Sequence, residues 1–261
     1  MSNPNRIANL LPLLDETPIS YYWIGFLMAD GHFYKHGALK LQLSEKDRHH
    51  LEKFRLFVNY TGKSKTCLMS AMNPIVVHKI MNKFKITNRK TYEPCSIDWI
   101  KDELLFSLIV GLFDGDGHFP IRNNHVYGAV MKLHKSWLTN LKFIETFLYE
   151  YLEIKKSKPS KLARMNKNGY AVLVLSDRYL LAKMKKKSTE LNLPMMKRKW
   201  DGIDVNYVSL YREYKNRLPK MLQLIERGLS YKQIGKICNV SVGSIATAVC
   251  RERKKQRLTL L

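Results

Sequence analysis

The ten residues 24–33, IGFLMADGHF, return 86 positions later as residues 110–119, VGLFDGDGHF. Five of the ten are identical in register: Gly25 with Gly111, Asp30 with Asp116, Gly31 with Gly117, His32 with His118 and Phe33 with Phe119. A duplicated apolar stretch that twice ends in Asp-Gly constrains the chain to two related halves, each delivering one carboxylate to an equivalent place.

Residue spacing extends the repeat. A helix can begin near Ser20 and run to Asp30, with Gly31 expected as a left-handed helix stop. A hairpin pattern follows, residues 32–35 and then ALKLQLS across a His36-Gly37 turn. Leu39, Leu41 and Leu43 share one face of it, and Lys40, Gln42 and Ser44 the other. Residues 49–60 return to helical spacing, and after Gly62 a weakly defined strand pair leads to a helix near residues 74–84. The order recurs in residues 102–117 (helix), 118–133 (hairpin around Asn123-Asn124), 137–152 (helix), 161–175 (hairpin around 166–169) and 177–187 (helix). Each half therefore reads α-β-β-α-β-β-α, and the expected fold class is α+β, two pseudo-symmetric repeats over residues 1–100 and 101–205 with two antiparallel sheets.

Residues 206–261 differ. A helix over 219–227 with Gly228 as its stop, a second capped by Ser230 and a third capped by Ser241 share an inward set of Leu222, Ile225, Ile234, Ile237, Val240, Ile245 and Val249. Short helices joined by tight polar turns, with a basic tail, fit a small all-α helix-turn-helix domain for DNA; a structural cap is the plainer alternative.

Charge indicates the partner. The chain carries 45 Lys+Arg against 22 Asp+Glu, a formal +23, and each of the three segments is positive. Such an excess fits counterion-release binding to a polyphosphate. The four cysteines, Cys67, Cys95, Cys238 and Cys250, have no metal-finger spacing, so free thiols in a reducing compartment are expected. Residues 1–16 lack a secretory pattern and no apolar run reaches membrane-spanning length. The expectation is a soluble, non-secreted protein of the cytoplasm, nucleoid or an organelle matrix.

The Asp-Gly helix ends carry chemistry. A helix C-terminus has open carbonyls and a partial negative charge, so an Asp placed there is unfavourable. A divalent cation reverses the sign, because carboxylate and carbonyl oxygens together make a hard-oxygen site suited to Mg²⁺. Gly25 and Gly111 each cost their helix about 1 kcal/mol. Close approach of the two helices, bringing Asp30 and Asp116 together, is the return expected.

Residues 23–31 (WIGFLMADG) and 109–117 (IVGLFDGDG) resemble the two motif helices of the LAGLIDADG homing endonucleases, in the single-chain, two-repeat form with an added helix-turn-helix. The resemblance covers roughly residues 18–205. The first motif departs at Trp23 and at Met28, where the family often has an acid and the second motif has Asp114. The resemblance implies a saddle of two antiparallel sheets lying in adjacent major grooves of a long, pseudo-palindromic double-stranded DNA site. The unequal halves (Met28 against Asp114, Glu45 against Lys135, the added C-terminal segment) predict an asymmetric target. The resemblance also implies a monomer with its motif helices at the inter-repeat interface, and Mg²⁺-dependent (or Mn²⁺-dependent) hydrolysis of both strands across the minor groove, leaving 3′ overhangs. On this resemblance Asp30 and Asp116 are metal ligands, with the main-chain carbonyls of Ala29 and Gly115 beside them. It further places a polar or basic residue after each second strand, Glu45 and Lys135, and a lysine after each repeat's last helix, Lys90 and Lys197, with Arg89, Arg198 and Lys199 close enough to compete.

Strand alternation marks His32, Tyr34, Lys40, Gln42 and Ser44 in the first repeat, and His118, Arg122, Lys132 and His134 in the second, as outward residues able to touch base edges. Lys63, Lys65, Arg164 and Lys167 are placed for phosphate or outer bases. In the last segment Ser244, Thr247 and Arg251 form the exposed face of a recognition helix, with Ser241 for phosphate at its N-terminus. The expected activity is site-specific DNA cleavage by an intron-type mobile element. The alternatives are a transcription regulator of the same fold that has lost the metal-binding acids, and a maturase that binds intron RNA.

Overall fold

The computed structural model describes residues 8–62, 67–122, 125–154, 162–207, 210–238 and 240–259. They form two compact units, divided between Asn206 and Tyr207. Among the described residues no helix is long and apolar enough to cross a membrane.

The first unit opens with α1 (Pro18–Asp30), whose N-terminus is capped by the Thr17 hydroxyl accepting from the Ser20 amide, with Pro18 at the first helical position. The antiparallel strands β1 (Gly31–Phe33) and β2 (Ala38–Gln42) follow, then α2 (Arg48–Phe57), β3 (Leu68–Met72) and α3 (Pro74–Phe84). The second repeat begins with α4 (Asp102–Asp116). It continues through β4 (Gly117–His118), β5 (Ile121–Arg122), β6 (His125–Val126), β7 (Ala129–Leu133), α5 (Leu138–Tyr151), β8 (Ala163–Met165), β9 (Ala171–Leu175), α6 (Arg178–Glu190) and the short α7 (Lys197–Trp200). One sheet runs β1-β2-β3, the other β4-β7-β9-β8, and β5 pairs with β6 apart. His32 pairs with Lys40 and His118 with Val130, so each repeat's histidine lies in the antiparallel pairing that directly follows its motif helix, with a longer excursion before the partner strand in the second repeat. Leu39 and Leu41 are buried while Gln42 is exposed, as the alternation requires.

The hairpin expected over residues 118–133 is broken in two. Pro120 has no N–H to give a ladder, and the Val126 amide donates to the Gly202 carbonyl instead of continuing the β4–β7 pairing. Of the strand pair expected after Gly62, β3 is the member among the described residues, and residues 63–66 lie outside them.

Helices α1 and α4 make the most extensive contact between any two described elements, and both are buried on all sides over most of their length. Such helices have no solvent face and must be central. Gly25 and Gly111 permit the contact. A Cβ on Gly25 would fall inside the Leu108 carbonyl, and one on Gly111 inside the Tyr22 carbonyl and against the Phe26 nitrogen. Gly31 and Gly117 do not act as left-handed stops: their backbones are extended, with φ −75° in both. Each helix passes directly into a strand, and glycine is needed because a Cβ would press on the carbonyl of Leu27 or Phe113.

The repeats also interlock reciprocally. The segment after each repeat's last long helix lies against the other repeat. Lys53 of α2 donates to the carbonyls of Pro194 (3.2 Å) and Met195 (2.9 Å), while Asn140 of α5 donates to the Cys95 carbonyl at 2.8 Å.

The second unit packs α8 (Leu210–Glu226), α9 (Tyr231–Cys238) and α10 (Val242–Thr259) around Met221, Ile234, Cys238, Ile245, Ala248 and Val249. Gly228, at φ +79°, follows α8 as the expected left-handed stop. Ser230 and Gln233 form a reciprocal capping box at α9. Two details differ from the sequence expectation. Helix α8 starts at Leu210 and runs through Pro219, because the apolar stripe Leu218, Met221, Leu222 and Ile225 keeps one face on the core. Ile237 is 49% exposed, since the inward spacing on α9 runs from Ile234 to Cys238.

Replacing Gly111 by Ala sets a methyl group against the α1 backbone at Tyr22 and Phe26, where nothing can rotate away. The first unit is expected to lose roughly 3 kcal/mol in urea unfolding. Gly243→Ala, where a Cβ meets nothing within 4 Å, is the control and is expected to leave the second unit unchanged or slightly stabilised.

Candidate active site

Asp30 and Asp116 are the last residues of α1 and α4, and the glycine contact brings these two helix ends side by side. Both residues are solvent-exposed at the helix ends, while their carboxyls are still partly desolvated by the surrounding protein. Burial pushes the Asp30 carboxyl up to about 6, and the neighbouring Asp116 charge adds to the shift; Lys199 and then Lys90 oppose it. Burial likewise raises Asp116, opposed by Lys90 and then Lys199. Each carboxylate thus responds most to the lysine of the other repeat.

Those lysines complete the helix ends. Lys90 Nζ donates to the carbonyls of Met28 and Ala29, both at 2.6 Å. Lys199 Nζ donates to the carbonyls of Phe113 (3.1 Å), Asp114 and Gly115 (3.0 Å). An ammonium on the open carbonyls of a final turn satisfies them and offsets the helix dipole. Burial lowers the pKa of both lysines, that of Lys199 to about 8.

Lys199, not Lys197, is therefore the partner of Lys90. Lys197 is exposed on the first residue of α7, while the helical turn carries Lys199 and Trp200 inward. The shared Arg-Lys pair, Arg89-Lys90 and Arg198-Lys199, was the available signal for this alignment. Arg198 bonds to Asp47, bridging the repeats with a 2.9 Å contact to Oδ2.

Sequence reasoning gave Asp114 no role. Its side chain is fully buried and accepts from Tyr22 Oη at 2.6 Å, Trp200 Nε1 at 2.6 Å and the Met196 amide at 2.9 Å. Because the Tyr22 hydroxyl gives its proton to Asp114, the 3.0 Å contact with His50 must be a donation from Nε2. His50 is wholly buried, and that burial pushes its pKa down to about 3, so the ring is neutral.

The donor set fits a hard dication in one specific way. Among the described residues no three His, Cys, Asp or Glu side chains cluster. Two carboxylates with raised pKa are present, and the carbonyls of Ala29 and Gly115, although engaged by ammonium groups, each keep a second lone pair. Mg²⁺ is commonly held by one or two carboxylates, with waters and substrate phosphate completing its shell. Asp30, Asp116, Ala29 and Gly115 match that pattern.

The remaining expected residues are dispersed. Glu45 is exposed and held below the usual carboxylate range by the Arg48 guanidinium (2.6 Å), with the Cys67 thiol also donating to it (3.0 Å). Lys135 is exposed at the start of a short 3-10 turn. His32 and His118 are the second residues of their strands and face outward, and His32 meets the Tyr34 ring edge-on at 4.2 Å. Lys40 is half-buried, and the Ser44 hydroxyl is spent on Asp47. Lys132 lies over the Tyr170 ring at 4.2 Å and His134 beside Tyr92. With Lys90 and Asp116 these four residues line a cleft of about 480 Å³. Arg164 and Lys167 are exposed. Ser241 caps α10 by accepting from the Ser244 amide, the two hydroxyls meet at 2.8 Å, and the Thr247 hydroxyl bonds the Gly243 carbonyl. Lys63 and Lys65 lie outside the described residues, as do the side chains of Arg122 and Arg251.

No protein-family model matches the chain, and no curated sequence is similar enough to match it. Among solved structures, I-SmaMI bound to an uncleaved DNA target with calcium ions aligns over 87% of this chain and 100% of its own, at 13% identity and a TM-score of 0.47. Full-length WhiA from Thermatoga maritima aligns over 93% and 94%, at 12% identity and 0.45. The LAGLIDADG homing endonuclease I-GzeII in complex with its DNA target aligns over 86% and 97%, at 13% identity and 0.45.

Because Asp30 titrates higher in the folded chain than unfolded, the folded state holds its proton more tightly. This contribution is full below a pH of about 4 and is lost as pH rises through about 6. In metal-free buffer, Asp30→Asn should therefore raise the melting temperature relative to the parent at pH 7.5 and show little difference at pH 4.5. A difference of the same size at both pH values would remove this electrostatic account.

Proposed function

We propose that the protein is a site-specific double-strand DNA endonuclease that hydrolyses phosphodiesters at the paired helix ends with a divalent cation, Mg²⁺ or Mn²⁺. The carrying observation is that two carboxylates are brought together at helix C-termini by glycine contacts, where burial raises the pKa of both and the Asp116 charge adds to the rise at Asp30. Stability gives no reason for that arrangement, whereas a dication meeting a phosphate does.

Asp30 and Asp116 would hold the cation from the two repeats, with the carbonyls of Ala29 and Gly115 beside them. When bound, the cation supplies positive charge that favours attack by water on phosphorus and stabilises the departing 3′ oxygen. The chain's own residues set the geometry. Lys90 and Lys199 hold the helix ends, and their ammonium groups offset the negative charge that a scissile phosphate brings. Two pseudo-symmetric lysine–carboxylate pairings suit two strands of a duplex.

The outward strand residues His32, Tyr34, Lys40 and Gln42, with His118, Lys132 and His134, supply donors and acceptors for base edges. The three-helix C-terminal unit, with 12 basic and 3 acidic residues after Val205, supplies further contacts to the duplex in the manner of a helix-turn-helix.

The test begins with a binding site selected from a randomised duplex library. With Mg²⁺ the parent protein is expected to cut both strands of that site. Asp30→Asn and Asp116→Asn should each lower cutting by roughly 10²–10³-fold or more while leaving affinity within about threefold. Tight binding with no nick in either strand would transfer the protein to the regulator class. Truncation after Asn206 is expected to weaken binding and flatten its salt dependence; unchanged affinity would make the last unit a structural cap.

A further inference from the structure

The Asp114 carboxylate takes no part in the chemistry above, yet both of its oxygens are used. Oδ2 accepts from Tyr22 Oη and the Met196 amide, and Oδ1 accepts from Trp200 Nε1. Met196 immediately precedes α7 and Trp200 ends it, so one carboxylate fastens both ends of a four-residue helix. A helix that short cannot hold itself. Its third residue is Lys199, whose ammonium reaches the carbonyls of Phe113, Asp114 and Gly115. Held by its own side chain to α7 and by its own carbonyl to Lys199, Asp114 closes a loop between the helix end and the lysine that completes it.

The first repeat has no such loop. Met28 stands where Asp114 stands in the second motif, and Thr91 follows Lys90 where Trp200 follows Lys199. The segment carrying Lys90 is tied from the other repeat by Ser136 to the Thr91 carbonyl and by Asn140 to the Cys95 carbonyl. Neither contact reaches the motif helix.

We infer that Asp114 is the positioning residue for Lys199, fixing α7 against the α4 end so that this lysine is locked in place while Lys90 is held without an equivalent anchor. The inference rests on the proposed function only in treating Lys199 as part of the working centre; the placement itself is read without DNA. An Asn at position 114 would present an N–H₂ to donors on one side, so Asp114→Asn must lose either the Trp200 bond or the Tyr22 and Met196 bonds. Trp200→Phe removes the Nε1 donor alone and keeps most of the ring volume. Tyr22→Phe removes the tie to α1 and leaves both α7 bonds intact.

The experiment is limited reductive methylation of the native, full-length protein at pH 7.5, with the label at Lys199 measured against Lys90 by peptide mass spectrometry. Lys90 is an internal reference, since a general loosening exposes both lysines. The Lys199-to-Lys90 ratio is expected to rise by about tenfold in Asp114→Asn and Trp200→Phe and to stay within about twofold in Tyr22→Phe. If Asp114→Asn does not fold, Trp200→Phe carries the comparison. An unchanged ratio in a folded Trp200→Phe protein, or an equal rise at both lysines, would overturn the inference. A protein that never cuts DNA yet shows the expected ratios would overturn the nuclease reading and leave Asp114 as the anchor of Lys199.

Discussion

The backbone contact between α1 and α4 sets everything downstream of it. Because Gly25 and Gly111 let carbonyl oxygens of one helix approach the Cα of the other, the two C-termini end at the same level. Helix ends so close combine two sets of open carbonyls and two negative dipole ends, and here each also ends in an aspartate. The repulsion is answered locally. Lys90 and Lys199 lie on the carbonyls, so the helix ends are satisfied from the protein side and the carboxylates keep the solvent side. Without the glycines the helices separate, and neither the strain nor its compensation exists.

Satisfying that end from both repeats explains the reciprocal crossing of the chain. The segments that carry Lys90 and Lys199 must each reach a motif helix and then lie against the opposite repeat, where α2 and α5 donate to their carbonyls. A break in one repeat's crossing segment would therefore be felt in the other. The pseudo-symmetry is not exact, and the departures fall close to the centre. Arg198 is joined to Asp47 across the interface, whereas Arg89, its counterpart, bridges to Glu93 four residues on within its own repeat. Asp114 faces no counterpart at Met28. The second lysine has acquired rigid surroundings that the first lacks.

The sequence made the periodic parts legible and left the long-range parts hidden. Identical Gly, Asp and His positions exposed the duplication, and the strict alternation of Leu39 and Leu41 with Lys40 and Gln42 set the strand face. Both signals are local. Asp-Gly after a helix usually means a left-handed stop, but at Gly31 the chain turns straight into a strand. Pro120 marked the break in the second hairpin, but the diversion of Val126 to Gly202 depends on a residue 76 positions away. Lys197 stood for Lys199 because a basic run has no periodicity. Only the inward turn of Trp200 and the Asp114 carboxylate, 86 residues upstream, decide which lysine is used.

The charge balance of the centre completes the argument. Two ammonium groups and two carboxylates meet there, so the centre is near neutral in a chain of formal charge +23. In the proposed function the long-range attraction for DNA would therefore come from basic residues elsewhere, among them those on the sheet faces and in the C-terminal unit. Near neutrality suits the proposed function, in which a dication and a phosphate would share the site. A strongly positive pocket would hold the phosphate and repel the cation, and a strongly negative one would hold the cation and repel the phosphate. By setting one lysine against the carboxylate of the other repeat, the crossing segments keep both repeats contributing to this balance. Under the proposed function, the two strands of a duplex would be met by half-sites that share a common charge and differ in how their lysines are anchored.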